Sequence, residues 1–103
     1  MNLNKYLPLT ETTFYILTAL MDPGHGYYIM QKVEELSEGK VRVAAGTMYG
    51  AIDNLMKQNL IVSLASNDPR RKIYQISQAG KEVLHLEAVR LRHLITVAQN
   101  YGF

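Results

Sequence analysis

Cysteine and tryptophan are both missing from the 103 residues, and proline occurs only three times. Without cysteine there is no disulfide, no thiolate nucleophile and no cysteine-type zinc site. No apolar run approaches the ~20 residues of a membrane span, and the opening stretch MNLNKYLPLTE lacks the basic-then-apolar layout of a secretory signal. A cytoplasmic protein with no membrane partner is therefore expected. Three imidazoles are present, His25, His85 and His93, and the last two fall at a spacing on one helix that does not make an i, i+4 metal pair. No serine sits in a triad-like arrangement, no glycine pattern follows a strand to cradle phosphate, and no repeat is visible. Glu34-Glu35-Glu38 fits the wet face of a helix, and the five methionines read as core filling. No catalytic residue, metal site or cofactor is expected, so the chain does not read as an enzyme.

A net charge of +2 is too small to announce a nucleic-acid binder, but its distribution is uneven. Residues 1–69 hold five Lys/Arg against seven Asp/Glu, whereas residues 70–103 hold six against two. The positive field belongs to the second part.

The most informative stretch is Ala45 to Ile61. At 100° per residue, Ala45, Met48, Ala51, Ile52, Leu55 and Met56 fall on one apolar arc, while Gly46, Thr47, Tyr49, Gly50, Asp53, Asn54, Lys57 and Gln58 share the other. Gly46 and Gly50 stand one turn apart on the outer face, and interior glycines cost a helix about 1 kcal/mol each relative to alanine. Close approach of another surface to the backbone would compensate. Thr47, Tyr49 and Lys57 beside the bare strip suit a nucleic-acid groove; the alternative is a core helix whose outer face is merely solvated.

Around this stretch the chain divides simply. Residues 1–9, with Pro8, read as an arm from which Lys5 and Tyr6 could reach a phosphate. Thr10 caps a helix to about Met21 with Phe14, Leu17, Leu20 and Met21 on its apolar face, ended by Asp22-Pro23-Gly24. A second helix opens near Gly26, buries Ile29, Val33 and Leu36, and stops with Gly39 at the left-handed position after its last turn. Lys40 to Val43 reads as a strand stub. Asn59 takes the left-handed position after the third helix.

Leu60–Ala65 and Lys72–Ile76 form a predicted β-hairpin around the turn formers Ser66-Asn67-Asp68-Pro69. Arg70-Arg71-Lys72 at its tip is either an edge charged against aggregation or a phosphate-gripping wing, and the adjacent glycine-bearing helix favours the wing. Ser77 caps a last helix to about Asn100. Its apolar positions sweep ~200°, and its ~35 Å length matches the width of a whole domain of this size, so one core cannot cover it. Leu84, Ala88, Leu91, Ile95 and Ala98 follow the 4-3-4-3 spacing of a helix-pairing seam, which predicts a homodimer. Glu87 and Arg90 fall inside the apolar arc and can pair within the helix or across the dimer.

Helix, helix, short strand, helix, hairpin, helix is the order of a winged helix-turn-helix domain, a mainly α fold with a small β-hairpin (α+β). The expected layout is an arm over 1–9, a winged helix over 10–76 and a dimerisation helix over 77–103. Several motifs also resemble the PadR-like transcriptional regulators: His25-Gly26-Tyr27 with Ile29, Gly46-Thr47-Met48-Tyr49 with Ile52 and Leu55, Leu60-Ile61, Arg70-Arg71-Lys72 with Tyr74, then Ser77 and Gly80. The resemblance runs from Thr10 to the last helix.

It implies a homodimeric repressor on double-stranded DNA at a pseudo-palindromic promoter site. By position, Thr47 and Tyr49 take the family's backbone and groove contacts, and Arg70, Arg71 and Lys72 its wing contacts. The chain is similar to the subgroup with one last helix, some of whose members bind planar drugs in an apolar dimer pore against a tryptophan. With no tryptophan here, a hydrophobic small-molecule effector would stack on Tyr101, Phe103 or Tyr6. Asp53 and Asn54 stand where relatives often place basic residues. Asp53 either specifies sequence, by accepting from a cytosine amino group, or marks weakened DNA affinity. The alternatives to a repressor are a winged-helix protein-interaction module and a small-molecule sensor.

Overall fold

The computed structural model describes residues 2–68 and 70–103. Side-chain caps set most helix starts. The Thr10 hydroxyl accepts the Thr13 N–H at 3.1 Å and opens α1 (Glu11–Ala19). His25 Nδ1 accepts the Tyr28 N–H at 3.3 Å and opens α2 (Gly26–Leu36). Ser77 Oγ accepts the Gly80 N–H at 3.0 Å and opens α4 (Gln78–Asn100). Only α3 (Ala45–Lys57) starts without a side-chain cap. Each cap satisfies a backbone donor that the helix itself leaves free.

Left-handed residues end the inner helices. Asn59 at φ 60° closes α3, and its successor Leu60 donates to the Leu55 carbonyl at 3.0 Å, as expected from the sequence. After α2 two left-handed residues follow: Glu38 (φ 55°) takes the position equivalent to Asn59, and Gly39 (φ 79°) stands one residue further on, where its N–H donates to Glu34 O at 2.8 Å. The predicted strand stub Lys40–Val43 does not form. Buried Ser37 instead takes the Val41 N–H on its hydroxyl at 2.9 Å, which turns the chain straight into α3.

β1 (Ile61–Leu64) and β2 (Ile73–Ile76) pair antiparallel with Ile61 opposite Ile76 and Leu64 opposite Ile73. The third partner comes from elsewhere: Gly24 and Tyr74 exchange both backbone hydrogen bonds, at 2.9 and 3.0 Å, so the turn after α1 borders β2. Part of the predicted turn, Pro69, lies outside the described residues.

One core joins these elements. Ile16, Leu17 and Leu20, Ile29 and Val33, Met48, Ile52 and Leu55, Leu60, Ile61 and Ile76, and Val83 are buried together. The α1 face is rotated from the predicted one: Ile16 and Ala19 are buried, Phe14 is half-buried and Met21 exposed. Leu36 is likewise exposed, its place taken by Ser37. Gly80 lies beneath the hairpin entry, where a Cβ would come within 2.2 Å of the Leu60 carbonyl oxygen, so α4 crosses at backbone distance.

The N-terminal stretch is not a free arm. Leu3–Tyr6 forms a 3₁₀ turn capped by the Asn2 side chain, with Leu3 buried in the core. The Leu9 N–H donates at 2.6 Å to a carboxylate oxygen of Glu87, whose other oxygen accepts from Arg90 Nε. Glu87 and Arg90 therefore pair within one helix. Arg90's hydrogen bond, helped by the Leu9 N–H and opposed by burial, holds the Glu87 carboxyl below the usual glutamate value.

Past Leu91 the last helix leaves the domain. Leu91, Leu94, Ile95 and Val97 are exposed, and of the remainder only Ala98 is half-buried. The molecule is accordingly elongated, 53 × 35 × 20 Å.

Candidate nucleic-acid interface

The outer surface of α3 is open as the periodicity predicts. Gly46, Thr47, Tyr49, Gly50, Asp53, Asn54 and Lys57 are all exposed, while Met48, Ile52 and Leu55 are buried; Ala45, predicted on the apolar arc, is exposed as well. Met48, Ile52 and Leu55 lock the orientation of the helix, so the other side must face outward.

Added Cβ atoms at Gly46 and Gly50 would meet nothing within 4 Å. Neither glycine is needed by the fold. Gly46 proves to be the second residue of the helix, where its cost is small, and Gly50 is the one in the interior. Gly50→Ala is expected to stabilise the fold by about 0.5–1 kcal/mol, or roughly 2–8 °C in Tm, while weakening binding of any ligand that approaches the backbone there. Thermal melts and duplex titrations on the same variant check both signs. Gly26 contrasts with these two, because the Tyr49 hydroxyl would lie 2.5 Å from a Cβ at that site. Tyr49 is thus laid across the start of α2.

A groove of about 540 Å³ separates α3 from the wing, lined by His25, Gly26, Tyr27, Tyr49, Asp53, Tyr74 and the three cations Arg70, Arg71 and Lys72. All three cations are exposed. Arg70 is turned towards Asp68, with Nε 3.4 Å from Oδ1, while the same carboxylate oxygen accepts the Arg70 N–H at 2.9 Å. This exposed pair orders the tip and contributes little stability. Asp53 lines the groove together with the cations, and Tyr74, also in its lining, is buried. Burial first, then the neighbouring Tyr49 and Asp53, raises the Tyr74 phenol above its ordinary value, so it remains a neutral hydroxyl at physiological pH.

The structure thus brings Tyr49, Asp53 and the wing cations together, and places Thr47, Asn54 and Lys57 on the same exposed face but outside that groove. Sequence reasoning does not place His25, Gly26, Tyr27 or Tyr74 in the groove. Their positions follow from the Gly24–Tyr74 pairing, which no local pattern announces; Asp68 was legible, two residues before Arg70, as a turn former. Leu84 and Ala88 of the predicted seam are half-buried by their own domain, whereas Leu91 and Ile95 are uncovered.

Three helices, a two-stranded wing and a fourth helix leaving the domain define a winged helix-turn-helix protein. The sequence model described as "Transcriptional regulator PadR-like family" matches residues 15–86, and the chain belongs to that family. It is therefore a DNA-binding transcriptional regulator and not an enzyme. Among solved structures, it is similar to a PadR family transcription regulator from hypervirulent Clostridium difficile, at 27% identity, covering 89% of this chain and 98% of that one with a TM-score of 0.76. A transcriptional regulator from Clostridium thermocellum shares its fold at 20% identity over 89% and 90% of the two chains, TM-score 0.77. RosR of H. salinarum does so at 24% identity over 94% and 97%, TM-score 0.68. No curated protein matches. Among the described residues no helix is long and apolar enough to cross a membrane, and no group of His, Asp and Glu is placed to hold a metal.

Proposed function

We propose that the chain is a cytoplasmic repressor that binds a pseudo-palindromic promoter site as a homodimer, laying α3 in the major groove and the wing on the adjacent backbone. The observation that carries this reading is the open glycine strip on α3 beside three exposed cations. Backbone exposed at glycine admits close approach, and the cations supply the sequence-independent affinity. Thr47, Tyr49, Asp53, Asn54 and Lys57 then face base edges and phosphates. Binding to sheared genomic DNA at low salt tests it. A protein-interaction module would show none.

Uncovered apolar surface supports the dimer. The face that α4 buries at Val83 and Glu87 is continued beyond its domain by Leu94, Ala98 and Tyr101, with Leu91 and Ile95 beside it. Surface of this kind is stabilised when a second copy covers it. Ile95→Glu is expected to convert the sedimenting species from dimer to monomer and to weaken binding to a two-half-site duplex about 100-fold, while binding to a single half-site is retained. A dimer that survives the substitution contradicts the seam.

A second reading adds a hydrophobic small-molecule effector. It rests on a groove of about 310 Å³ beside the seam, lined by Leu9, Phe14, Tyr15 and Leu91 together with Thr10, Glu11, Glu87 and Arg90. Saturable quenching of tyrosine fluorescence by a planar apolar dye supports it, and a linear response counts against it.

A further inference from the structure

The wing occupies one side of α3, and the other side is occupied too. Tyr6, Thr10 and Thr13 share a cleft of about 180 Å³ with Ala51 and Asn54 of α3 and with Gln58 just past its end. At 100° per residue the outer surface of α3 runs from Tyr49 and Asp53, through Gly46, Lys57 and Gly50, to Asn54, Thr47 and Gln58. Tyr49 and Asp53 border the wing groove, whereas Asn54 and Gln58 border the N-terminal segment. The glycine strip is therefore the floor between two walls.

The second wall carries a cation as well. The Lys5 ammonium sits over the Tyr6 ring, 5.1 Å from its centroid, Lys5 is exposed, and none of the ion pairs among the described residues involves it. Its base is fixed at both ends, by buried Leu3 before it and by the Leu9 N–H bonded to Glu87 after it. A cation on a fixed turn loses less freedom on binding than one on a mobile arm.

A helix ~10–12 Å across fills a major groove ~12 Å wide, so it has a phosphate backbone on each side. The wing reaches only one of them. We infer that the 3₁₀ turn is a second phosphate-gripping element, in which the Lys5 ammonium and the Tyr6 hydroxyl contact the DNA strand on the side of α3 away from the wing. This rests on the DNA-binding reading above and extends it to residues outside the helix-turn-helix and its wing.

The test uses the full chain and a 30-base-pair duplex of random sequence, with affinity measured across a salt series by fluorescence anisotropy. Lys5→Gln is expected to make the slope of log K against log salt shallower by about 0.9 and to weaken binding about eightfold at 0.1 M salt, for each protomer on the duplex. Lys5→Arg is expected to keep the slope. Tyr6→Phe should weaken binding without changing the slope. An unchanged slope in Lys5→Gln, when alanine at Arg70 and Arg71 does flatten it, overturns the inference and leaves the DNA reading standing. Equal losses in Lys5→Gln and Lys5→Arg overturn it too, because charge would then not be what Lys5 supplies. A native chain that does not bind this duplex at low salt overturns the DNA reading itself.

Discussion

Replacing Arg70 and Arg71 together by alanine is expected to weaken binding to specific and random duplexes alike by about 60-fold per bound protomer at 0.1 M salt, with the salt slope shallower by about 1.8. The magnitude follows from counterion release. Each phosphate neutralised frees about 0.9 of a cation, and two contacts multiply. Both side chains are exposed, so alanine there costs the fold little and melting temperature should stay within about 2 °C. Of the two, Arg71 should matter more, because Arg70 already shares its charge with Asp68. Substitution of Asp53 or Asn54 should act differently. Neither is a cation, so the salt slope should hold while preference among sequences shifts by about 1–3 kcal/mol at the base concerned. Titration of each variant against one selected site and one random duplex checks the division. Equal losses on both duplexes from both groups of residues would refute it.

Glu87→Ala is expected to lower stability by about 2–3 kcal/mol, or roughly 10–20 °C in Tm at fixed protein concentration. The carboxylate is buried and serves two donors, the Leu9 N–H and Arg90 Nε. Removing it strands the first inside and leaves the second half out of water. Arg90 is 37% exposed and can partly rehydrate, which keeps the cost below that of breaking a fully buried pair. The same group makes stability depend on pH. Its folded pKa lies below the unfolded value, so the folded state is favoured by the ionised form. That contribution is complete above the ordinary glutamate value of 4.5 and is lost as the pH falls through the folded one. Melting the native chain and Glu87→Gln at pH 7 and pH 3 should show a gap at neutrality that narrows in acid. A constant gap would mean the charge contributes nothing.

Much of this architecture is visible in local sequence. Thr10 and Ser77 announce their helices because a cap needs only a hydroxyl within three residues of a free N–H, and Asn59 announces an ending for the same short-range reason. The outer face of α3 is legible from periodicity, and the wing cations from their place beside turn formers. What periodicity misjudges is any position decided outside its own helix. Met21 and Leu36 stay exposed because the chain turns before the core reaches them, and Ser37 is buried because its hydroxyl serves the loop to Val41. The N-terminal residues read as an arm because the one short turn that Asn2 caps leaves no periodic pattern in the sequence. Their partner, Glu87, lies 78 residues away, and a lone acid in an apolar arc does not say what it will hold.

The Glu87 carboxylate belongs to the long helix, yet one of the two groups it grips is the backbone leading to the turn beside α3. A lever with its load at one end and its handle at the other has this layout. Tilting α4 at its free end would drag Leu9 and swing Tyr6 relative to Asn54, so in the proposed dimer the meeting angle of the copies and the fit of each to its duplex would change together.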